Sequence, residues 1–293
     1  MNNNTAQNLI KTCSRFLVVV LLGLGPASNT LALDNQDAIV GAGEDFSYVI
    51  FDMLKKELEE KSNRRITLFG KNSTLGVGCN AGIKMAKMNA PGRETFGFVC
   101  CPLDQEEIDK EGLIVYPLAI EPIMIIVNES NPVDNLTSQQ VRDIFAGKIT
   151  NWREVGGNNL PIVVVTRLHC KQRPGNWKTI LPDEKAFRQD RISLKSADER
   201  AEQLRKFPGA VAHAGTTREF NMDDPIKIVR IDGMLPTAQN LKDKKYPFFR
   251  PLSAVTNRQP SADVLTIIKG VQEGESFEKV TKRYQLLPAK LVQ

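Results

Sequence analysis

The sequence alternates short apolar runs with segments of helical periodicity over most of its length, and this alternation constrains the fold more than any other feature. Residues 38–40, 65–69, 161–166 and 226–231 are apolar or β-branched runs of the kind that form strands. Helical patterns lie between them, and the first begins after residue 43, where apolar residues recur every three or four positions. Strands that alternate with helices imply an α/β architecture with mostly parallel sheets.

The clearest helix is predicted directly after Leu136. Thr137 and Gln140 have the spacing of a capping box, and Leu136 and Val141 have the spacing of a hydrophobic staple. Gly147 marks the C-terminal end of this helix.

Further elements are predicted on either side of that helix. Two apolar strands, 113–118 and 123–127, precede it and flank Glu121 and Pro122. The later elements are a charged helix at 197–207, strands at 210–213 and 248–255, and helices at 261–271 and 276–284.

Residues 1–32 have the pattern of a secretory signal peptide. Lys11 and Arg15 precede an apolar run at 16–24, and small and polar residues follow as far as Ala32. The run is about half the length of a membrane-spanning helix, so we expect cleavage after Ala32, or less readily after Ala27, and no stable membrane insertion. An uncleaved anchor is the alternative. Cleavage removes Lys11 and Arg15 and no acid, so the formal charge falls from +5 to +3, too mild to indicate nucleic-acid binding.

Two glycine-rich loops follow predicted strands and precede predicted helices. The first contains Gly41-Ala42-Gly43, and the second runs from residue 70 to residue 78. Backbone N–H groups in a loop of this kind, at a helix N-terminus, can bind an anion, although many glycine-rich loops only turn the chain.

The segment from Leu136 to Gly157 carries a long, gapless pattern. It reads Leu-Thr, then Val-Arg-Asp-Ile-Phe-Ala-Gly-Lys-Ile-Thr-Asn-Trp from residue 141, then Val-Gly-Gly from residue 155. This pattern resembles the phosphate-binding (PstS-like) component of bacterial ABC transporters. Weaker matches at Gly41-Ala42-Gly43 with Phe46, at residues 73–78, at residues 208–211 and around Arg250 extend the resemblance over nearly the whole mature chain.

The resemblance implies a type II periplasmic-binding fold with two lobes, residues 33–118 plus 250–293 and residues 119–249. Such a protein would be a periplasmic monomer that reversibly binds a small anion between its lobes for an ABC permease or a sensor. It would use no cofactor and catalyse no reaction. The ligand contacts that the resemblance implies outside the fourth loop are Gly43, Phe46, Ser73, Thr74 and Gly76.

Several loops depart from the family's pattern. Glu44 and Asp45 stand where the family has a small residue and a threonine, and two carboxylates would repel an anion. In the fourth loop, at residues 167–173, the family's hydroxyl donors are replaced by a basic segment. Arg167, Lys171 and Arg173 are therefore the leading candidates for anion contacts, and a solvated basic loop is the alternative.

The four cysteines of the mature chain and both histidines lie on or beside segments that the resemblance places near the cleft. An even number of cysteines in an exported protein first indicates disulfides, with Cys79 expected to pair with Cys100 or Cys101. Thiol and imidazole groups also suit a soft metal, a metalloid or a haem-like ligand. The candidates for such a site are Cys100, Cys101, His169, Cys170 and His213.

Two further functions stay open. A cysteine hydrolase would need a nucleophile and a base, and Cys170 could take its base only from His213, because neighbouring strand side chains point to opposite faces. The chain could also be an interaction module that has lost its ligand. Trp152 and Trp177 could stack on a ligand, but helix packing is expected for both.

Overall fold

The structure, a computed structural model, describes residues 38–70, 78–171, 173, 176–196, 199–218 and 224–292. The predicted signal peptide at 1–32 lies outside these residues. The strands are β1 Ala38–Gly43, β2 Arg65–Phe69, β3 Thr95–Val99, β4 Leu113–Asn128, β5 Asn135–Leu136, β6 Val163–Thr166, β7 Ile192–Ser193, β8 Ala210–Gly215, β9 Ile226–Ile231, β10 Phe249–Asn257 and β11 Leu287–Pro288. The helices are α1 Asp45–Ser62, α2 Cys79–Lys87, α3 Gln105–Glu111, α4 Ser138–Ala146, α5 Glu199–Lys206, α6 Ala238–Lys242, α7 Ala262–Glu273 and α8 Glu275–Tyr284.

The sheet is parallel at its outer parts and antiparallel at its centre. Its strands follow the order β2-β1-β3-β10-β4-β8-β6-β7. β1 pairs in parallel with β2 and β3, and β6 pairs in parallel with β7 and β8. β4 pairs antiparallel with β10 and with β8, because the chain passes through the centre in both directions. The α/β class predicted from the alternation of elements is confirmed.

β4 runs through the segment where the sequence predicted two separate strands. It continues from Leu113 to Asn128, so the predicted break at Glu121-Pro122 is wrong. Pro122 removes one backbone donor, but the ladder resumes at once, since the Ile123 N–H donates to the carbonyl of Phe248 at 2.8 Å. Glu121 lies directly opposite Arg250 of β10, and the two side chains form a buried ion pair.

The buried side chains form three hydrophobic cores. The first core draws on residues 39–119 and 252–286. The second core draws on residues 123–248 together with Leu287, and a smaller third core draws on residues 124–214. The lobe boundaries implied by the resemblance follow a similar division and stay a prediction.

Local sequence signals account for the best-defined helix. The side chain of Thr137 accepts the N–H of Gln140 at 3.0 Å, and the side chain of Gln140 accepts the N–H of Thr137 at 2.8 Å. Val141, Ile144 and Phe145 are fully buried, and Gly147 ends the helix at a φ of 79°. The capping box, the buried apolar residues and the terminal glycine of α4 are confirmed. Among the helices that the structure describes, none has both the length and the apolar character of a membrane span.

Candidate ligand-binding site

A cleft of about 290 Å³ lies between the loops of the first core and the loop that follows β6. The first core contributes Glu44, Asp45 and Phe46 from the start of α1, and the residues at the start of α2. The loop after β6 contributes its residues 167–171 and 173. Three chain segments that are distant in sequence therefore meet at one site.

Glu44 caps helix α1 with its own carboxylate. The Ser47 N–H donates to Oε1 at 2.8 Å, and the Phe46 N–H donates to Oε2 at 2.5 Å. Burial raises the pKa of Glu44 to about 7, against the hydrogen bonds from Ser47 and Phe46 that lower it. The chain's own side chain thus takes the N–H groups that an anion would bind at this helix N-terminus.

The three basic residues predicted in the fourth loop all line the cleft, but two of them have carboxylate partners. Lys171 pairs with Glu184 at 2.8 Å. Arg173 binds both oxygens of Glu107 in α3, and its Nη2 also donates to Asn80 at 2.9 Å. Arg167 donates to the backbone carbonyl of Lys195 at 3.3 Å, and no described carboxylate lies within ion-pair distance of it. Arg167 is therefore the cation most available to a ligand in this cleft.

A chain of buried polar groups that the sequence did not predict supports the cleft from beneath. The Arg250 guanidinium lies 3.3 Å from the centre of the Phe46 ring, pairs with Glu121 and donates to Asn176 Oδ1 at 3.3 Å. Asn176 Nδ2 in turn lies 2.6 Å from Nε2 of His169. Arg250 Nη2 is buried and has no hydrogen-bond partner among the described residues. The match around Arg250 to the family's pattern was the only sequence signal for this group.

The four cysteines that the structure describes are free thiols. The Sγ atoms of Cys79 and Cys100 are 3.7 Å apart, and those of Cys100 and Cys101 are 3.9 Å apart. The Sγ atoms of Cys79, Cys101 and Cys170 all lie within 4.8 Å of one another. The disulfide expected between Cys79 and a neighbour stays a prediction, and Cys79, absent from the predicted soft-ligand set, belongs to the cluster.

His169 contacts Cys170 directly, so the prediction that only His213 could serve as a base for Cys170 is wrong. The Nδ1 atom of His169 is 3.3 Å from Cys170 Sγ. Cys170 has a φ of 52°, so these neighbours do not alternate as they would in a strand. Hydrogen bonds from Cys101 and Cys79, with a further one from His169, lower the pKa of Cys170.

The remaining predicted residues have other positions. Among the described groups, two sets of possible metal ligands lie within 4.8 Å of one another, Cys79 with Cys101 and Cys170, and Cys100 with Cys101 and His169. His213 belongs to neither set; it is buried against Phe145, and burial lowers its pKa. Gly43, predicted as a ligand contact, is not among the residues that line the cleft. A Cβ at this position would lie 2.1 Å from the carbonyl oxygen of Phe98, so packing between the strands requires a glycine here. Ser73, Thr74 and Gly76 lie outside the described residues. The buried Trp152 and Trp177 pack in the second core, as expected.

Comparison with known proteins agrees with this architecture. The chain is 23% identical over 254 residues to the phosphate-binding protein PstS of Borreliella burgdorferi, covering 83% of this chain and 87% of the relative. A substrate-binding protein with bound phosphate from Clostridium perfringens superposes with a TM-score of 0.71 at 24% identity, covering 86% of this chain and 99% of that one. An ABC-type phosphate transport receptor from Vibrio cholerae superposes with a TM-score of 0.64 at 23% identity, covering 85% and 99%.

The family assignment rests on a match to most of the chain. The family model described as the PBP superfamily domain covers residues 30–273, which include most of the buried core residues and every segment that lines the cleft. The chain therefore belongs to the family described as the PBP superfamily domain.

Proposed function

We propose that this chain is an exported solute-binding protein that reversibly binds a small oxyanion, phosphate or a close relative, in the cleft of about 290 Å³. The names of its relatives and the phosphate bound in a structural neighbour support this ligand class. The bound anion would be delivered to an ABC permease or reported to a sensor. We propose a periplasmic monomer without catalytic activity.

The availability of Arg167 is the observation that carries this proposal. Lys171 and Arg173 also line the cleft, but each has a carboxylate partner within the chain. An anion would gain a charge-assisted hydrogen bond from Arg167 without having to displace a carboxylate.

Glu44 sets a condition on binding. An ionised carboxylate that lines the cleft repels an anion, whereas the protonated form does not. With a pKa of about 7, Glu44 is protonated in a large fraction of molecules near neutral pH. Anion binding should therefore strengthen as the pH falls through this range, over and above any change in the ionisation of the anion itself.

Isothermal titration calorimetry with inorganic phosphate, and separately with sulfate, tests the proposal. Arg167→Ala should weaken binding of the anion more than about 10-fold, because a hydrogen bond to a charged group contributes about 1.5–3 kcal/mol. The matched control is Arg153→Ala, which removes an exposed arginine that does not line the cleft and should leave the affinity unchanged. Equal affinities in Arg167→Ala and the wild type would remove Arg167 as the ligand contact. If the wild type bound no oxyanion, an interaction module without a ligand would replace the proposal.

A further inference from the structure

Three thiols from separate chain segments converge at the back of the cleft. Cys79 is the first residue of α2, Cys101 follows β3, and Cys170 lies in the loop after β6. Their sulfur atoms are all within 4.8 Å of one another. Cys79 and Cys101 are almost fully buried, and Cys170 is partly exposed toward the cleft that it lines.

We propose that Cys79, Cys101 and Cys170 form a three-thiolate site for a soft, thiophilic metal ion. Thiolates are the protein ligands that select ions of this class over the harder cations of carboxylate sites. This site is distinct from the Arg167 contact and does not depend on the oxyanion proposal.

The spacing of the sulfur atoms suits a shared ion. Around a metal with metal–sulfur bonds of about 2.3 Å, three sulfurs stand about 4 Å apart. Sulfurs that lie within 4.8 Å of one another need only a small inward movement to reach that distance.

The neighbouring groups include possible ligands as well as hydrogen-bond donors, since Cys100, Cys101 and His169 also place one ligand atom each within 4.8 Å of one another. The backbone N–H of Cys100 donates to Cys79 Sγ at 3.3 Å. Asn176 directs Oδ1 toward Arg250 and Nδ2 toward His169 Nε2, so His169 accepts at Nε2 and carries its proton on Nδ1. His169 Nδ1–H then donates to Cys170 Sγ, in the way that hydrogen-bond partners outside the metal's own ligands orient those ligands.

One nearby cation, Arg173, offsets part of the charge of three thiolates, although it is also paired with Glu107. With a monovalent or divalent ion the site keeps a net negative charge, which is costly to bury without a counter-charge. Arg173 lines the same cleft as Cys79 and Cys170, and its side chain is held in place by Glu107 and Asn80. The site therefore combines soft ligands with a fixed cation.

The ion would also connect two parts of the fold. Cys79 and Cys101 belong to the first core, and Cys170 packs against that core although it lies in the loop that leaves β6, a strand of the other cores. An ion that binds all three sulfurs would hold this loop against the first core, which adds to the Arg173–Glu107 contact across the same gap.

The test uses reduced, metal-free mature protein under anaerobic conditions. Cd²⁺ serves as one probe, because thiolate-to-cadmium charge transfer absorbs in the ultraviolet, and Cu⁺ presented in competition with a chromophoric chelator serves as the other. The expected result is one equivalent of ion bound per chain. Cys101→Ala and Cys170→Ala should each weaken binding more than about 100-fold, beyond the cost of losing an outer partner of a ligand.

Cys100→Ala separates the proposed set from the alternative set of Cys100, Cys101 and His169. It removes an equally buried thiol from the adjacent position, leaves the backbone N–H that bonds Cys79, and should bind the ion with wild-type stoichiometry and nearly wild-type affinity. Thermal unfolding of each variant without metal shows whether the variant is folded. If Cys101→Ala does not fold, Cys170→Ala, which replaces the partly exposed cysteine, provides the test. Preference between Cd²⁺ and Cu⁺ identifies the ion class within the soft metals.

Two outcomes would overturn the proposal. One is the absence of a thiolate-to-metal band in the wild type with both probes. The other is a loss in Cys100→Ala as large as the loss in Cys170→Ala, which would mean that no defined set of three sulfurs holds the ion. Arg167→Ala should still bind Cd²⁺ fully, so failure of the metal site and failure of the oxyanion site are distinguishable.

Discussion

Replacing Glu44 with glutamine should remove a specific part of the pH dependence of stability. Glu44 is 3% exposed, and burial raises its pKa from 4.5 to about 7 in the folded protein. Between these two values the folded state holds a proton that the unfolded state has released. Stability from this group is therefore fully present below about pH 4.5 and is lost as the pH rises through about 7.

The size of the effect follows from the shift. Each pKa unit corresponds to about 1.4 kcal/mol, so the loss across this window is about 3 kcal/mol. Glutamine has no proton to release, and Glu44→Gln should lack this loss. The substitution also gives up one of the two acceptors that cap α1, at a pH-independent cost of about 1 kcal/mol.

Urea unfolding at intervals between about pH 4 and pH 8 measures the difference between the variant and the wild type. We expect the stability of Glu44→Gln relative to the wild type to rise by about 3 kcal/mol over that window. The two histidines contribute equally to the pH dependence of stability in the variant and in the wild type, so their contribution cancels in the difference. Glu129→Gln, at an exposed position, should follow the wild-type profile. Parallel curves for Glu44→Gln and the wild type would refute a raised pKa at Glu44.

Two other substitutions test how the cleft is held together. Arg173→Ala should weaken anion binding several-fold, because the partly exposed ion pair with Glu107 of α3, worth about 1 kcal/mol, holds the loop that carries Arg167. Arg258→Ala breaks a pair with Asp109 on the same helix α3 and should not change the affinity in calorimetry. Glu121→Gln should lower the free energy of unfolding by about 3–5 kcal/mol, because Arg250 would stay buried without its counter-charge. An unchanged urea midpoint for Glu121→Gln would contradict that reading, and Glu129→Gln is again the control.

Local patterns in the sequence determined most of the secondary structure. The capping box, staple and terminal glycine of α4 all involve residues within a few positions of one another, so spacing alone predicted them. The helical periodicity after residue 43 likewise predicted α1, and the α/β class followed from the order of the elements. The resemblance added the expectation of a cleft, and the loop that it singled out, which carries Arg167, lines a cavity in the structure.

Only the tertiary structure decided how the site is assembled. Glu121 and Arg250 are 129 positions apart, and they meet because β4 and β10 pair in one register; the sequence showed only a proline between two apolar runs. Cys79, Cys101 and Cys170 come together because three loops end at the same place, and the positive φ of Cys170 turns its thiol toward His169. Near-neighbour spacing fixes which elements form. Which distant side chains share a buried site depends on strand register and backbone conformation, and these are set by packing of the whole fold.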